Sequence, residues 1–192
     1  MSASPDRFAM MDLERLTLKQ FEQFQAFIYE CCGIRVEANK ITLVSNRIRR
    51  RLRALGLTDF NDYYKFLNSK AGGDELGDFL AAITTNETSF FRTNPHFDWL
   101  RSQFAKEMLA ARMAKKRDPS IRVWSAACSS GEEPYSIAMA LLEGSMQFRD
   151  WNITVLGTDI SQDVLATARA GVYRERAVRD IDPSLLAKYF TR

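Results

Sequence analysis

The sequence predicts an α + α/β fold, with a small helical domain followed by a domain built on a parallel sheet. Three observations predict it. Apolar residues recur three and four apart through about residue 90, the spacing of an amphipathic helix. That period gives way to β-like runs at Asp118-Pro119-Ser120. After the change, strand and helix alternate, which is the βαβ pattern of a parallel sheet. The helical domain is placed at 12–90, a linking helix at 91–119 and the α/β part at 120–192.

The helical elements follow in order. Thr17-Leu18-Lys19-Gln20 is a capping-box pattern, Phe21, Phe24, Ile28 and Cys31 continue it at helical spacing, and Gly33 is a C-terminal stop. Ile41, Val44, Ile48, Leu52 and Leu55 form one stripe spaced 3, 4, 4, 3 and ended by Gly56. Thr58 is read as the cap of a short helix carrying Phe60, Tyr63 and Leu67. Gly72-Gly73 breaks the chain before a fourth helix with Leu76, Phe79, Leu80 and Ile83. Asn94-Pro95 reads as an N-cap with proline at the first helical position, opening a long helix that turns Phe97, Leu100, Phe104 and Met108 inward.

In the second part, Ile121 to Ala127 suits a buried strand and Pro134 starts a helix through Leu142. Ile153 to Thr158 is a second strand, stopped by Asp159. Ser161 caps a helix to Ala170, with Gly171 as its stop, and Asp182-Pro183 opens a last helix running to the end of the chain. A βαβ unit takes about 30 residues, so 121–192 hold two strands, fewer than a parallel sheet normally has. The expectation is a fragment of a longer protein or an undercounted sheet.

Composition narrows the function classes. The 192 residues are 46% hydrophobic and 27% charged, with a net charge of +3. Such values exclude collagenous, low-complexity and wholly disordered chains. The longest apolar run, Ile137 to Leu142, is far short of the ~20 residues of a membrane span. The opening Met-Ser-Ala-Ser-Pro-Asp has no secretory pattern, so a soluble, cytoplasmic protein is expected. Three cysteines, two of them adjacent, and the single His96 make no disulfide framework, zinc spacing or Ser-His pair. No metal is expected.

Three places could carry chemistry. The loop Cys128-Ser129-Ser130-Gly131-Glu132-Glu133-Pro134 follows the first strand, where parallel sheets hold their ligands. It lacks the G-x-G-x-x-G fingerprint and brings two carboxylates where a phosphate would need positive potential. Those acids can equally serve only to complement the helix dipole. Asp159, 28 residues after Gly131, ends the second strand where an acid can accept from ribose hydroxyls. Together they point to a nucleoside without phosphates, for which S-adenosylmethionine is the common candidate. The segment Thr84-Thr85-Asn86-Glu87-Thr88-Ser89-Phe90-Phe91-Arg92 breaks the helical stripe and is either a connector or part of a site.

At these places the sequence resembles the CheR-type chemotaxis-receptor protein-glutamate O-methyltransferases. The matching segments are 85–92, Arg122-Val123-Trp124-Ser125-Ala126-Ala127-Cys128-Ser129-Ser130-Gly131-Glu132-Glu133-Pro134-Tyr135-Ser136, and Thr158-Asp159-Ile160-Ser161. Arg50 to Gly56 and Ala170-Gly171-Val172-Tyr173 match as well. The resemblance implies a helical domain and a Rossmann-like domain for S-adenosylmethionine, giving S-adenosylhomocysteine as product. It implies that Asn86, Thr88, Arg92, Glu133 and Asp159 contact the cofactor, with Arg92 also the catalytic positioning residue and no general base. It implies that Arg47, Arg50, Arg51 and Arg53 dock the cytoplasmic signalling helices of chemoreceptors, whose glutamates become methyl esters in a bacterial chemotaxis pathway. Family members continue with further strands and an asparagine-bearing cofactor contact that have no place in 1–192, so the resemblance implies truncation at the C-terminus.

The arginine stretch has three readings of its own. From Ala38 to Thr58 there are six Lys/Arg and no acid, which fits a solvated helix face, an acidic protein partner or nucleic acid. Nucleic acid calls for a higher domain charge and stacking aromatics beside the arginines, and the stretch has neither. A monomer is expected, with no nucleic acid and no direct membrane insertion. A non-catalytic regulatory or adaptor fragment binding the cofactor or the receptor is the alternative function.

Overall fold

The computed structural model describes residues 15–191, which fall into two compact units dividing between Thr85 and Asn86. Positions 12–14 of the expected helical domain, the opening hexapeptide and Arg192 lie outside the described residues. Among the described residues no helix is long and apolar enough to cross a membrane.

The N-terminal unit is helical. Helix α1 (Leu18–Cys32) starts on the expected capping box: the Thr17 hydroxyl accepts from Gln20 N at 3.3 Å, and the Gln20 side chain accepts from Thr17 N at 2.9 Å. Each bond satisfies a backbone donor that the first helical turn leaves open. Gly33, at φ 71°, ends the helix in the left-handed region. Helix α2 (Ile41–Leu55) buries Val44, Ile48 and Leu52, while Leu55 at the end of its stripe is exposed. Helix α3 (Phe60–Leu67) is capped one residue later than its sequence pattern predicts. The Asp59 carboxylate, not Thr58, accepts from Asn61 N at 2.7 Å and Asp62 N at 2.9 Å. Helix α4 (Gly73–Ile83) closes the bundle.

The core of this unit is aromatic. Phe21, Phe24, Phe60, Tyr63 and Phe79 are fully buried, and Phe24 meets Tyr64 edge-on at 5.4 Å. Each such side chain contributes about 1.5–3 kcal/mol by leaving water. Tyr63 also has a hydroxyl to satisfy. It donates at 2.6 Å to Glu75 Oε1, and Arg51 closes on the same carboxylate with Nε at 2.9 Å and a terminal nitrogen at 2.7 Å. Arg51 further pairs with Asp78. The stretch without acids in sequence is therefore partly neutralised in space by α4. Burial raises the pKa of Glu75, but the hydrogen bonds from Arg51 and Tyr63 outweigh it and hold the carboxyl below the usual range.

The C-terminal unit carries the sheet. Helix α5 (Asn94–Trp99) begins after Thr93, one residue before the predicted cap. A single wide turn of π-helix at Leu100–Phe104 joins it to α6 (Ala105–Met113), so the predicted long helix slips in register midway. Strands β1 (Ser120–Ala126) and β2 (Asn152–Thr158) pair in parallel, Ser120 opposite Asn152 and Ala126 opposite Thr158. Helix α7 (Glu132–Gly144) lies between them in sequence, and α8 (Gln162–Ala170), α9 (Glu175–Val178) and α10 (Pro183–Tyr189) follow. The last helix stops at Tyr189, short of its predicted extent.

One core joins Ile121 of β1 to Ile137, Ala140 and Leu141 of α7, with Phe97, Ala105 and Phe148. A smaller cluster gathers Phe90, Met139 and Ile181, with Tyr173 and Phe190 against it. The expectation that β1 is wholly buried fails on one side. Trp124 is 69% exposed and its register partner Leu156 58% exposed. Because strand side chains alternate, the face opposite α7 is uncovered among the described residues.

The Arg51–Glu75–Tyr63 network makes a stability prediction. Glu75→Ala leaves the buried Tyr63 hydroxyl without its acceptor and the Arg51 guanidinium with Asp78 alone, and is expected to cost about 3 kcal/mol in urea unfolding at pH 7. The native carboxyl titrates below its unfolded value, so its stabilisation is present above the ordinary glutamate range, about pH 4.3. It is lost as the pH falls through the lower native value. The gap between parent and variant must therefore close on acidification; a gap below 1 kcal/mol, or one indifferent to pH, contradicts this role.

Candidate functional site

The loop after β1 is built around reversals of backbone direction. Ala127 (φ 59°), Ser129 (φ 50°) and Gly131 (φ 97°) all lie at positive φ, on every second residue. For a non-glycine residue this costs of order 1 kcal/mol or more and persists only where surroundings enforce it. At Gly131 there is also no room for a side chain: a Cβ would lie 2.8 Å from the Tyr173 hydroxyl and 2.9 Å from the Ala168 Cβ. Gly157 of β2 is needed for the same reason, since a Cβ there would lie 2.9 Å from the Cys128 Sγ.

What enforces the loop is Asp159. Its Oδ2 accepts from Ser129 N at 2.8 Å and its Oδ1 from Ser161 N at 2.9 Å. One carboxylate thus ties the end of β1 to the end of β2. Glu133 faces the same loop from the start of α7, where its Oε1 accepts from the Ser125 hydroxyl at 2.6 Å. The neighbouring Glu132 is buried and accepts from the Ser130 hydroxyl at 2.7 Å. The Cys128 thiol reports the resulting field: burial raises its pKa first, then the charge of Asp159, and further that of Glu133. The thiol stays protonated in such surroundings and is no nucleophile, in line with the packing role its sequence context predicts.

The segment 86–92 reaches this loop by its backbone. The Ser129 hydroxyl donates to Asn86 O at 3.1 Å. The Phe91 N–H donates to the Ser136 hydroxyl at 3.0 Å, and that hydroxyl, fully buried, donates to Glu132 O at 2.6 Å. Thr88 is half-buried, while Asn86 and Arg92 are exposed. Arg92 donates to Glu87 O at 2.8 Å, which curls the segment on itself. Phe90 and Phe91 pack into the two cores of this unit. His96 lies exposed in the first turn of α5.

Asp159, Glu133 and the 86–92 segment therefore meet at one loop. Residues that reasoning from sequence did not single out hold them there: Ser125, Ser129, Ser136 and Tyr173, whose hydroxyl donates to Ser130 O at 2.7 Å. Ser125 and Ser129 lie in a run of small residues, where nothing marks one hydroxyl apart from its neighbours.

The chemistry of this donor set discriminates between ligands. Glu132 and Glu133 occupy the positive end of α7, where a phosphate would otherwise bind. With Asp159 they make the loop after β1 acidic, hostile to a pyrophosphate and suited to hydroxyls and to a cation. S-adenosylmethionine, with two ribose hydroxyls and a positive sulfur, fits both requirements.

The four arginines belong to the N-terminal unit, and they divide into pairs. Arg51 is engaged by Glu75 and Asp78, and Arg47 donates to Ile83 O and, at 2.9 Å, to the Thr85 hydroxyl. Burial, then the nearby charge of Arg50, lowers the pKa of Arg47. Arg50 and Arg53 are the exposed members. Of the four arginines expected to form a docking face, two are thus exposed, while the other two brace α2.

Comparison with known proteins agrees with both units. Residues 19–84 match the family model described as CheR methyltransferase, all-alpha domain, and residues 86–192 match CheR methyltransferase, SAM binding domain. S-adenosylmethionine is thus the cofactor of the second domain. A chemotaxis protein methyltransferase of Escherichia coli is 42% identical over 183 residues, covering 93% of this chain and 59% of its own length. A probable chemotaxis protein methyltransferase of Rhizobium etli is 38% identical over 164 residues, covering 85% and 60%. Chemotaxis protein methyltransferase 2 of Pseudomonas aeruginosa is 38% identical over 176 residues, covering 92% and 59%. The chain spans about three fifths of the length of these relatives. By both of its domains, the chain belongs to the CheR methyltransferase family.

Proposed function

We propose that the chain takes part in S-adenosylmethionine-dependent methylation of glutamate side chains on the cytoplasmic helices of chemoreceptors, acting as a monomer. The observation that carries this reading is that Asp159 holds the loop after β1 at Ser129 N while Glu133, where that loop enters α7, is bonded to Ser125 of the same strand. A carboxylate has about four acceptor positions. Asp159 spends two on backbone N–H groups and keeps capacity for ribose hydroxyls. Glu133 spends one on Ser125 and keeps capacity for the amino-acid end of the cofactor, for which Asn86 and Thr88 are the further candidates.

Bound there, the cofactor supplies a methyl group on a positive sulfur; when a carboxylate oxygen takes the methyl, the S–C electron pair stays on sulfur and no proton moves. The substrate glutamate, with an ordinary pKa of about 4.3, is already ionised at neutral pH. No general base is needed, and the chain has only to align the reacting atoms. Alignment can supply up to ~7–11 kcal/mol in favourable systems. Arg92 is the positioning candidate. One of its five donors is used on Glu87 O, which leaves the exposed fork able to hold a carboxylate. Arg50 and Arg53 would attract a partner rich in glutamate to the helical unit.

Two measurements test this. Asp159→Ala is expected to weaken S-adenosylmethionine binding at least tenfold in a calorimetric titration of the 192-residue chain. Unchanged affinity removes Asp159 from the site. Reversing charge with Arg50→Glu and Arg53→Glu is expected to leave cofactor affinity unchanged while slowing methyl incorporation into purified receptor. The deficit is largest at low salt, where surface charges are least screened. Loss of cofactor binding in that variant, or a deficit indifferent to salt, contradicts the docking role. Cofactor binding without any methyl incorporation by the parent chain favours a binding module instead.

A further inference from the structure

The hydroxyl of Tyr173 reaches back 43 residues to donate to Ser130 O at 2.7 Å. Ser130 is flanked by Ser129 and Gly131, the two positive-φ residues nearest the acids. The same oxygen lies 2.8 Å from where a Gly131 Cβ would stand, so the phenol closes off the outer wall of the turn. The ring is held in turn. It meets Phe90 edge-on at 4.9 Å, Tyr135 at 6.1 Å and Phe190 at 6.5 Å. Phe90 belongs to the 86–92 segment, and Tyr135 to α7, where it donates to Ala168 O at 2.9 Å. One side chain therefore touches the loop itself and two segments that reach it, 86–92 and α7.

On the reading that this loop binds S-adenosylmethionine, we infer that Tyr173 is a positioning residue, a second clamp on the loop backbone besides Asp159. Asp159 secures the N–H of Ser129, and Tyr173 secures the carbonyl of the next residue. The peptide between Ser129 and Ser130 is thus anchored immediately on either side, by one residue that precedes α8 in sequence and one that follows it. Burial, then the charge of Glu132, pushes the phenol well above the ordinary tyrosine range, so it stays a neutral donor at physiological pH. A turn with repeated positive φ cannot hold itself; without the clamp it is expected to sample open forms in which the cofactor's acceptors are misplaced.

Tyr173→Phe removes the hydroxyl and keeps the ring contacts. Amide hydrogen exchange resolved by NMR, on the full chain without ligand, is expected to quicken about 3–10-fold at Ser129 and Gly131 and to stay unchanged in the aromatic core around Phe97 and Ile137. Affinity for S-adenosylhomocysteine by calorimetry is expected to fall by a similar factor. Unchanged exchange at the two loop amides overturns the clamp. Faster exchange with unchanged affinity overturns its role in binding and leaves a contact that only stabilises the fold. If the parent chain itself binds no S-adenosylhomocysteine while the exchange effect is present, it is the cofactor reading that fails, and with it the positioning role.

Discussion

The carboxylate of Asp159 ties together what the C-terminal unit would otherwise leave apart. Two parallel strands end side by side, and the chain beyond each must turn away to form a helix. Both turns have backbone N–H groups with no partner in the ladder. Asp159 accepts one from each, Ser129 N and Ser161 N. This charge-assisted pairing is stronger than a neutral hydrogen bond and makes the positive-φ turn after β1 tenable. The same constraint places an acid at the C-terminal end of the sheet.

A second carboxylate plays a comparable part in the helical unit, with the opposite exposure. Glu75 is buried and surrounded by donors, two from Arg51 and one from Tyr63. A buried charge is tolerable only when its acceptor positions are filled in this way. The consequence reaches the surface: Arg51 is drawn in from the basic face of α2, and Arg47 is held by the end of α4. Arg50 and Arg53 then project into solvent. Which arginines can meet a partner is set by which ones the core has already taken.

Much of this was legible in the sequence, and the exceptions have physical causes. Local signals read well: the Thr17 capping box, the stop at Gly33 and the strand ends near Ala126 and Thr158 depend on residues within a turn or two. Thr58 and Asp59 compete for the same cap, and only geometry shows that the carboxylate reaches two N–H groups. The π-turn at Leu100–Phe104 leaves no mark in an apolar pattern that still looks helical. Of the candidate site, the places of Asp159 at a strand end and Glu133 at a helix start were legible. The serines and Tyr173 were not: Ser129, Ser136 and Tyr173 bond to groups 43 to 45 residues away, and nothing beside Ser125 marks its bond to Glu133. The pairing of Arg51 with Glu75, 24 residues on, was hidden for the same reason.

An NMR titration of the labelled chain with S-adenosylhomocysteine, following backbone amides, asks whether the turn after β1, held by Asp159, is where S-adenosylmethionine is gripped. Saturable shifts are expected, led by Ser129, Gly131 and Ser161 in the turns after the two strands, with the amides of α1 to α4 unmoved. Saturable shifts confined to other parts of the chain, with those three amides still, would contradict that placement.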